Sequence, residues 1–337
     1  MTRGVTGAAR PDGPLLEVEG LTKHFRAKGG GGGGSSSVQA VNDVSLRLDR
    51  GETLGIVGES GCGKSTLARL ILRLIEPTAG RVRFAGEDLL ALSPAELRTR
   101  RRDMQLIFQD PYASLDPRLT VGAIVGEPLA IHAMGGRRAR RERVAELLAT
   151  VGLEADAMRR YPHEFSGGQR QRIGIARAIA LEPRLIIADE PVSALDVSIQ
   201  SQILELLLDL KDRLSLSYIF ISHDLAVVEH VSDRVAVMYL GRIVETSDTE
   251  RLYRRPAHPY TEALISAVPK PDPERARSRI VLSGDIPNPE SPPPGCPFHP
   301  RCPKVLAVCP ERRPELKDIG ETTGDGGRPH LVACHLH

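Results

Sequence analysis

The chain has 337 residues, of which 41% are hydrophobic and 26% charged, and its formal net charge is +2. These values fit a globular protein with one large and one smaller domain. No apolar run approaches the roughly 18 residues that a membrane-crossing helix needs. The absence of Trp disfavours a stacking platform for single-stranded nucleic acid. The first residues lack a signal-peptide core, so we expect a cytosolic protein unless another subunit holds it at a membrane.

The N-terminal part of the chain predicts an antiparallel unit. Residues 1–14 are rich in Gly and Pro and are predicted to be a disordered N-terminus. Apolar and polar residues then alternate over 15–25 and again over 38–48, which is typical of two paired strands. The segment 29–37, a run of glycines followed by three serines, is predicted to be a flexible loop between them, and its role stays open.

A phosphate-binding P-loop follows. A short apolar strand at residues 53–57 leads into a Gly-rich turn, and apolar residues at helical spacing come after it, up to Leu74. The turn has the pattern G-x-x-x-x-G-K-S, whose backbone N–H groups surround phosphate. We expect Lys64 to reach the terminal phosphates and the Ser65 hydroxyl to ligate Mg²⁺. The nucleotide-binding residues predicted here are Gly58, Glu59, Ser60, Gly61, Cys62, Gly63, Lys64, Ser65 and Thr66.

The middle of the chain is predicted to be mostly helical. Residues 93–96 form a capping box that opens a basic helix, and a buried strand at 104–108 precedes Gln109. Residues 120–160 have helical periodicity and no strand signal, which predicts a helical subdomain at about 110–165 inserted into an α/β unit. We interpret the basic clusters at 98–102 and 137–143 as solvated helix faces.

The second half of the chain predicts a parallel sheet wrapped by helices, because apolar strands at 185–188, 218–221 and 235–239 alternate with helices. Asp189 and Glu190 end the first of these strands, at the edge of the sheet where α/β proteins bind ligands. We expect Asp189 to hold Mg²⁺ and Glu190 to polarise the attacking water. His223 follows the next strand and is expected to reach the γ-phosphate.

A second anion-binding turn opens a helix in this half. It consists of Ser166, Gly167, Gly168 and Gln169. The free N–H groups of the helix end and the Ser166 hydroxyl can bind an anion. One chain does not need two phosphate sites for one ATP, so we expect this turn to complete the site of a second subunit.

Taken in order, these motifs resemble an ATP-binding cassette ATPase over about residues 15–250. They look like its Walker A motif, Q-loop (Gln109), signature, Walker B motif, D-loop (residues 193–196) and switch histidine. The resemblance implies a P-loop, RecA-like α/β core with an antiparallel β subdomain and an inserted helical subdomain. It also implies that Gln109 contributes to the Mg²⁺ site and that Phe25 stacks on adenine.

Residues 109–117, 161–165 and 258–261, with the Cys/Pro-rich tail, are similar to the ATP-binding subunits of oligopeptide and dipeptide importers. This resemblance implies that ATP closes two cassettes, which are often unlike. It further implies two membrane-spanning permease subunits, an extracytoplasmic peptide-binding protein, a position on the cytoplasmic face of the cell membrane and no nucleic-acid partner.

The C-terminal region predicts a metal site. Past about residue 255 prolines become frequent, so we place an ATPase domain at 15–255 and a C-terminal extension at 256–337. The extension contains Cys296, Cys302, Cys309 and Cys334. A cytosolic location disfavours disulfides, and Cys-Pro pairs with four thiols suggest a 4Fe–4S cluster, as the resemblance also does. Zinc, with His299, His330 or His335 as further ligands, and unligated thiols stay open as alternatives.

Three other functions remain open from the sequence. A cassette ATPase acting on nucleic acid usually has two cassettes or a coiled-coil insertion, whereas this chain has one P-loop and no heptad run. An importer of nickel or another small solute would share these motifs. A metal-binding module with an attached ATPase is the third alternative.

Overall fold

The computed structural model describes residues 13–26, 37–110, 112, 114–268, 280–320 and 328–337. The predicted disordered N-terminus, except Gly13 and Pro14, and the Gly/Ser loop, except Ser37, lie outside these ranges. Within them, no helix has both the length and the apolar character needed to cross a membrane.

The described residues form two sheets and surrounding helices. The strands are β1 (Leu16–Arg26), β2 (Ser37–Leu48), β3 (Thr53–Val57), β4 (Ala79–Phe84), β5 (Glu87–Asp88), β6 (Met104–Ile107), β7 (Leu185–Asp189), β8 (Ser217–Ser222), β9 (Arg234–Tyr239), β10 (Arg242–Asp248), β11 (Lys317–Asp318) and β12 (Leu331–Val332). The α-helices are α1 (Lys64–Ile71), α2 (Pro94–Arg100), α3 (Val121–Ile131), α4 (Arg137–Thr150), α5 (Gly167–Ile179), α6 (Val197–Leu214), α7 (Leu225–Val231), α8 (Thr249–Arg254) and α9 (Pro259–Ser266).

The smaller sheet is the predicted antiparallel unit. Its strand order is β2-β1-β4-β5, and β1 pairs antiparallel with β2 from Leu16 opposite Leu48 to Phe25 opposite Val38. The alternating apolar residues of β1 are buried on one face, as the period of two for side chains in a strand requires. The prediction for residues 15–48 is confirmed where the structure describes them.

The larger sheet contains the predicted parallel strands. Its order is β11-β12-β10-β9-β3-β8-β7-β6, and β9, β3, β8, β7 and β6 are parallel neighbours. All residues of β3, β7 and β8 are buried, because helices and the second sheet cover both faces. Parallel strands end at a common edge, so the polar residues that follow β3, β6, β7 and β8 lie close together there.

The sequence analysis missed the hairpin partner of β9. Strand β10 turns back antiparallel to β9 through Leu240 and Gly241, whose φ angles are 43° and 78°, as a tight hairpin turn requires. The short strand β12 pairs with β10, and β11 pairs with β12. The C-terminal region therefore continues the larger sheet, while the domain bounds at 255 and 256 stay predictions.

Helix α1 is shorter than the apolar spacing up to Leu74 predicts, and the middle region contains helices. Helix α1 ends at Ile71, because Arg73 adopts a positive φ of 48°, and Leu74 is 47% exposed instead of continuing the apolar face. In the middle region, described residues 114–164 contain helices and no strand. Two arginines of α4 form ion pairs with glutamates, Arg138 with Glu142 at 2.9 Å and Arg143 with Glu146 at 3.2 Å, which fits a solvated face.

Candidate nucleotide-binding and hydrolysis site

The P-loop connects the buried strand β3 to the start of α1. Gly63 is the N-cap of α1 in the left-handed region and leaves the first N–H groups without a side-chain cap. A Cβ on Gly58 would lie 2.1 Å from the Met238 carbonyl oxygen, and one on Gly63 would lie 2.1 Å from that of Ala40. Only glycine fits at these two positions, and the exposed N–H groups at the helix start form an anion site.

Lys64 points into the loop. Its side chain is buried, and its ammonium donates to the carbonyl oxygens of Gly58 at 2.7 Å and Glu59 at 3.1 Å. The thiol of Cys62 lies 3.9 Å from the same ammonium, and burial raises the pKa of this thiol. Lys64 thus supplies a positive charge inside the turn that would surround phosphate.

Ser65 and Asp189 form an oxygen pair next to the P-loop. The Ser65 hydroxyl donates to Asp189 Oδ1 at 3.0 Å, and Asp189 is 7% exposed at the end of β7. Burial raises the pKa of Asp189, and the hydrogen bond from Ser65 opposes that rise. Hydroxyl and carboxylate oxygens are the ligands that Mg²⁺ takes from proteins, so this pair fits the predicted metal.

Glu190 lies at the centre of the predicted catalytic residues. Its Oε2 accepts a hydrogen bond from Gln109 Nε2 at 2.9 Å and lies 3.1 Å from His223 Nδ1. The three residues follow β6, β7 and β8, which are adjacent parallel strands. The sheet edge therefore brings together three residues that are far apart in the sequence, and a water held by this carboxylate would lie beside the P-loop.

The second anion-binding turn, residues 166–169, opens helix α5 and lies away from these contacts. Ser166 caps the helix by accepting from the Gln169 N–H at 3.4 Å, and Gln169 Oε1 accepts from the Ser166 N–H at 3.0 Å. In the described part of the chain, no hydrogen bond joins these two residues to the P-loop or to Glu190. The turn thus presents a helix N-terminus that this chain's own P-loop residues do not use.

Phe25 is an exposed aromatic residue near the P-loop. It is the penultimate residue of β1 and pairs with Val38 of β2. Two residues after Val38, the carbonyl of Ala40 abuts Gly63. The ring is 40% exposed, and the Lys23 ammonium lies 5.1 Å from its centroid. An open aromatic face at this place fits the predicted stacking on adenine.

The four C-terminal thiols converge but do not form a metal site. All are free, and burial raises the pKa of Cys296 to about 11, with smaller contributions from the charges of the other three. Within the described ranges, however, no group of three or more His, Cys, Asp or Glu side chains is arranged to hold a metal ion. The structure therefore does not support the predicted iron–sulfur cluster or zinc.

The three histidines that are alternative zinc ligands form hydrogen bonds to other protein groups. The contacts are His330 Nε2 to Glu245 at 2.7 Å, His299 Nδ1 to the Cys296 carbonyl at 2.9 Å and His335 Nε2 to the Arg312 carbonyl at 2.8 Å. Each bond occupies one ring nitrogen, so a mixed site of thiols and these histidines would have to use the other nitrogen of each ring.

Two residues that sequence reasoning missed touch the P-loop from the C-terminal side. The Tyr260 hydroxyl accepts from the Glu59 N–H at 2.9 Å, and Arg301 pairs with the Glu59 carboxylate at 2.7 Å. Tyr260 belongs to the segment 258–261, whose only signal in the sequence is its similarity to the importer subunits, and nothing in the sequence marks the pairing of Arg301.

Known proteins that are similar to this chain are ATP-binding proteins of ABC transporters. A family model described as ABC transporter matches residues 41–193, and one described as oligopeptide/dipeptide transporter, C-terminal region, matches residues 244–309. A probable peptide ABC transporter ATP-binding protein of Sinorhizobium fredii is 56% identical over 96% of this chain and 90% of its own length. The oligopeptide transport ATP-binding protein AppF of Bacillus subtilis is 52% identical over 96% and 97%. The dipeptide transport ATP-binding protein DppF of Escherichia coli is 50% identical over 95% and 94%.

Solved structures show the same fold. The cassette MJ0796, solved as a dimer in a post-hydrolysis state with ADP and phosphate, is 31% identical and covers 70% of this chain and 99% of its own, with a TM-score of 0.63. The cassette cbiO1 of Clostridium perfringens is 28% identical, covering 72% of this chain and 91% of its own, with a TM-score of 0.62. Fold and site together define a P-loop ATPase. The chain belongs to the ATP-binding cassette family, with a C-terminal region of the oligopeptide/dipeptide transporter type, and it binds and hydrolyses ATP as members of that family do.

Proposed function

We propose that this chain is the ATP-hydrolysing subunit that powers import of oligopeptides or dipeptides through a membrane transporter. The observation that carries the proposal is the presence, in one chain, of a nucleotide site and a C-terminal region that matches the peptide-transporter type over residues 244–309. That region packs directly on the P-loop through Arg301 and Tyr260. Relatives of nearly full length are named for peptide transport.

The proposed chemistry is in-line hydrolysis of the γ-phosphate. Lys64 and the N–H groups at the start of α1 bind the phosphates, and Phe25 stacks on adenine. Ser65, Asp189 and Gln109 would hold Mg²⁺, which when bound neutralises charge on the phosphate oxygens.

Glu190 orients the attacking water in this scheme. Its carboxylate accepts a hydrogen bond from the water and aligns it with the γ-phosphorus, while Gln109 and His223 fix the carboxylate through Oε2. His223 is 56% exposed, so its ring is accessible to the γ-phosphate of a bound nucleotide.

The proposed assembly has two cassettes and two permease subunits. The N-cap of α5, with Ser166 and the following N–H groups, would complete the ATP site of a second cassette, which we propose is an unlike chain. The permease subunits would hold the cassettes at the cytoplasmic face of the membrane, and a peptide-binding protein would deliver cargo from the other side.

A metal bound by the C-terminal cysteines is a proposal. It rests on their four free thiols and on the resemblance to importer subunits, since the described residues contain no group arranged to hold a metal ion. We propose a 4Fe–4S cluster ahead of zinc, because four cysteines match its ligand count. The test is the iron and zinc content of protein purified without oxygen, together with its visible absorption. Brown protein that bleaches on reduction supports the cluster, and colourless protein without iron refutes it.

The experiment for the main proposal is affinity purification of the tagged full chain from its own cells. We expect permease-type membrane subunits to copurify, and no retention of the chain on immobilised DNA or RNA. Retention on nucleic acid without membrane subunits would contradict the proposal. Uptake of a labelled dipeptide, measured with nickel as a competitor, separates peptide cargo from the alternative of nickel or another small solute.

A further inference from the structure

The outer turn of the P-loop is held by an arginine from the C-terminal region. Arg301, at the end of a 3₁₀ turn (His299–Arg301), donates from Nη1 to Glu59 Oε2 at 2.7 Å and from Nη2 to Glu59 Oε1 at 3.0 Å. The Arg301 side chain is 7% exposed and that of Glu59 is 26% exposed. A paired, largely buried guanidinium with two parallel hydrogen bonds is the strongest and most directional form of this contact.

Glu59 is also fixed through its backbone. The Glu59 N–H donates to the Tyr260 hydroxyl at 2.9 Å, and its carbonyl accepts from the Lys64 ammonium at 3.1 Å. The Tyr260 ring packs against Phe298, three residues before Arg301, with centroids 5.4 Å apart. Glu59 therefore connects the C-terminal region to the lysine that is expected to bind phosphate.

A second C-terminal segment lies over the same turn. The Pro289 carbonyl accepts a hydrogen bond from the Gln39 N–H at 3.1 Å. Residues 286–289 line a cleft of about 310 Å³ together with residues 59–62 of the P-loop. Two separate parts of the C-terminal region thus contact the P-loop and the strand next to it.

These contacts matter because the loop is rich in glycine. Gly58, Gly61 and Gly63 all have positive φ angles, of 154°, 79° and 109°, and glycine loses more freedom than other residues when it is fixed. Ordering each residue of such a loop costs conformational entropy. A loop that is held in place before the ligand arrives does not pay this cost during binding, so its affinity is higher.

We infer that Arg301 is a positioning residue for the ATP site, so that the C-terminal region sets the affinity of the P-loop for nucleotide. The inference rests on the proposed binding of ATP at the P-loop. Arg301 touches neither nucleotide nor water in this account and acts only through Glu59. The C-terminal region is then part of the nucleotide site rather than a separate appendage.

A matched control exists in the same region. Lys304 donates to both carboxylate oxygens of Glu262 on α9 at 2.7 Å. This pair joins two parts of the C-terminal region to each other, and neither residue contacts the P-loop in the described structure. Arg301→Met and Lys304→Met therefore each remove one such ion pair, and only the first removes a contact to Glu59.

The test is equilibrium binding of ATP with Mg²⁺ to the full chain, with Glu190→Gln in all variants to prevent turnover. We expect Arg301→Met to raise Kd about tenfold, equivalent to about 1.4 kcal/mol, Arg301→Lys to raise it less, and Lys304→Met to leave it unchanged. Equal Kd for Arg301→Met and Lys304→Met would overturn the inference. If Arg301→Met does not fold, Arg301→Lys carries the same comparison.

Two further variants separate positioning from other effects. If Arg301 only neutralised the charge of Glu59, Arg301→Met combined with Glu59→Gln would restore the wild-type Kd, whereas positioning predicts that affinity stays low. Lys64→Ala tests the proposed function itself. Unchanged ATP binding in that variant would mean that the P-loop assignment is wrong, whatever the result at Arg301.

Discussion

Glu190 has a backbone conformation that is uncommon for a glutamate. Its φ is +48°, in the left-handed region, and its N–H donates to the Ile221 carbonyl at 2.9 Å. Such a conformation costs about 1–3 kcal/mol and persists only where surrounding contacts impose it. Here those contacts come from the neighbouring strand, and they direct the carboxylate between Gln109 and His223. The strain therefore serves to position one carboxylate at the sheet edge.

Replacing this carboxylate should separate binding from turnover. Glu190→Gln keeps the size of the side chain and removes the charge that orients the water, so we expect ATP binding to persist while hydrolysis falls on the order of 10²-fold or more. Lys64→Ala should instead weaken ATP binding, since the buried ammonium is lost. The measurements are nucleotide titration and steady-state phosphate release. Near-normal hydrolysis by Glu190→Gln would remove Glu190 from its proposed role.

His258 should make the stability of the fold depend on pH. It is 1% exposed, and its Nδ1 accepts from the Tyr260 N–H at 3.1 Å, which requires the neutral ring. Burial lowers the pKa of His258 to about 4, although the charge of Glu245 acts in the opposite direction and that of His337 adds to the lowering. Between pH 6.5 and 4 only the unfolded chain binds the proton, so stability falls as the pH falls through this window, by up to about 3 kcal/mol.

The corresponding variant is His258→Asn, which can still cap α9 with its side-chain oxygen but does not titrate. Its free energy of unfolding should vary less between pH 6.5 and 4 than that of the wild type, in urea unfolding at several pH values. The same pH dependence in both proteins would contradict the assignment.

At the scale of elements, Gly168 and Gly174 of α5 offer a matched pair. A Cβ on Gly168 would lie 2.5 Å from Ile199 Cγ2 on α6, whereas a Cβ on Gly174 meets no atom within 4 Å. Gly168→Ala should therefore destabilise the fold by about 1–3 kcal/mol, because α5 and α6 must separate. Gly174→Ala should stabilise it by up to about 1 kcal/mol, because alanine is the better helix former. The measurement is the thermal unfolding midpoint of both variants. Equal changes in the midpoint would refute this account of the contact between α5 and α6.

The elements that the sequence predicted share strong periodicity or clear end signals. Strands β3, β7 and β8 are continuous apolar runs, and the capping box at Ser93 and Glu96 is present. Strand β10 was missed because polar Glu245 and Ser247 interrupt its apolar pattern. Both residues are fully buried, and Glu245 is satisfied by the Ala257 and His258 N–H groups and by His330. Because these partners of Glu245 lie 12 to 85 positions away in the sequence, a local hydrophobic pattern does not reveal them.

In the candidate site, too, the residues with a local sequence pattern were predictable and the distant contacts were not. The P-loop, Asp189, Glu190 and His223 could be placed at one edge because each follows a recognisable strand of a parallel sheet. The pairing of Glu59 with Arg301 joins residues 242 positions apart, and it depends on how the C-terminal region packs. Sequence patterns describe local conformation, so contacts of this kind require the three-dimensional structure.

At the scale of the whole molecule, the proposed sharing of ATP sites between two cassettes can be tested through Ser166, the N-cap of α5. In an unlike pair, Ser166→Ala in one chain and Lys64→Ala in the other damage the same site and leave the second site intact. The same two substitutions within one chain damage both sites. We therefore expect higher ATP hydrolysis from the first arrangement, measured as phosphate release by the assembled complex. Equal rates in the two arrangements would count against shared sites.

The most direct test of the proposed function is ATP-driven peptide uptake by the assembled transporter in vesicles. With ATP on the side of the cassettes and peptide-binding protein on the other, we expect labelled dipeptide to accumulate. Glu190→Gln in this chain should reduce the uptake by roughly the factor by which it reduces hydrolysis, on the order of 10² or more. Uptake that persists without ATP or with Glu190→Gln, or a complex that hydrolyses ATP but transports no peptide, would contradict the account.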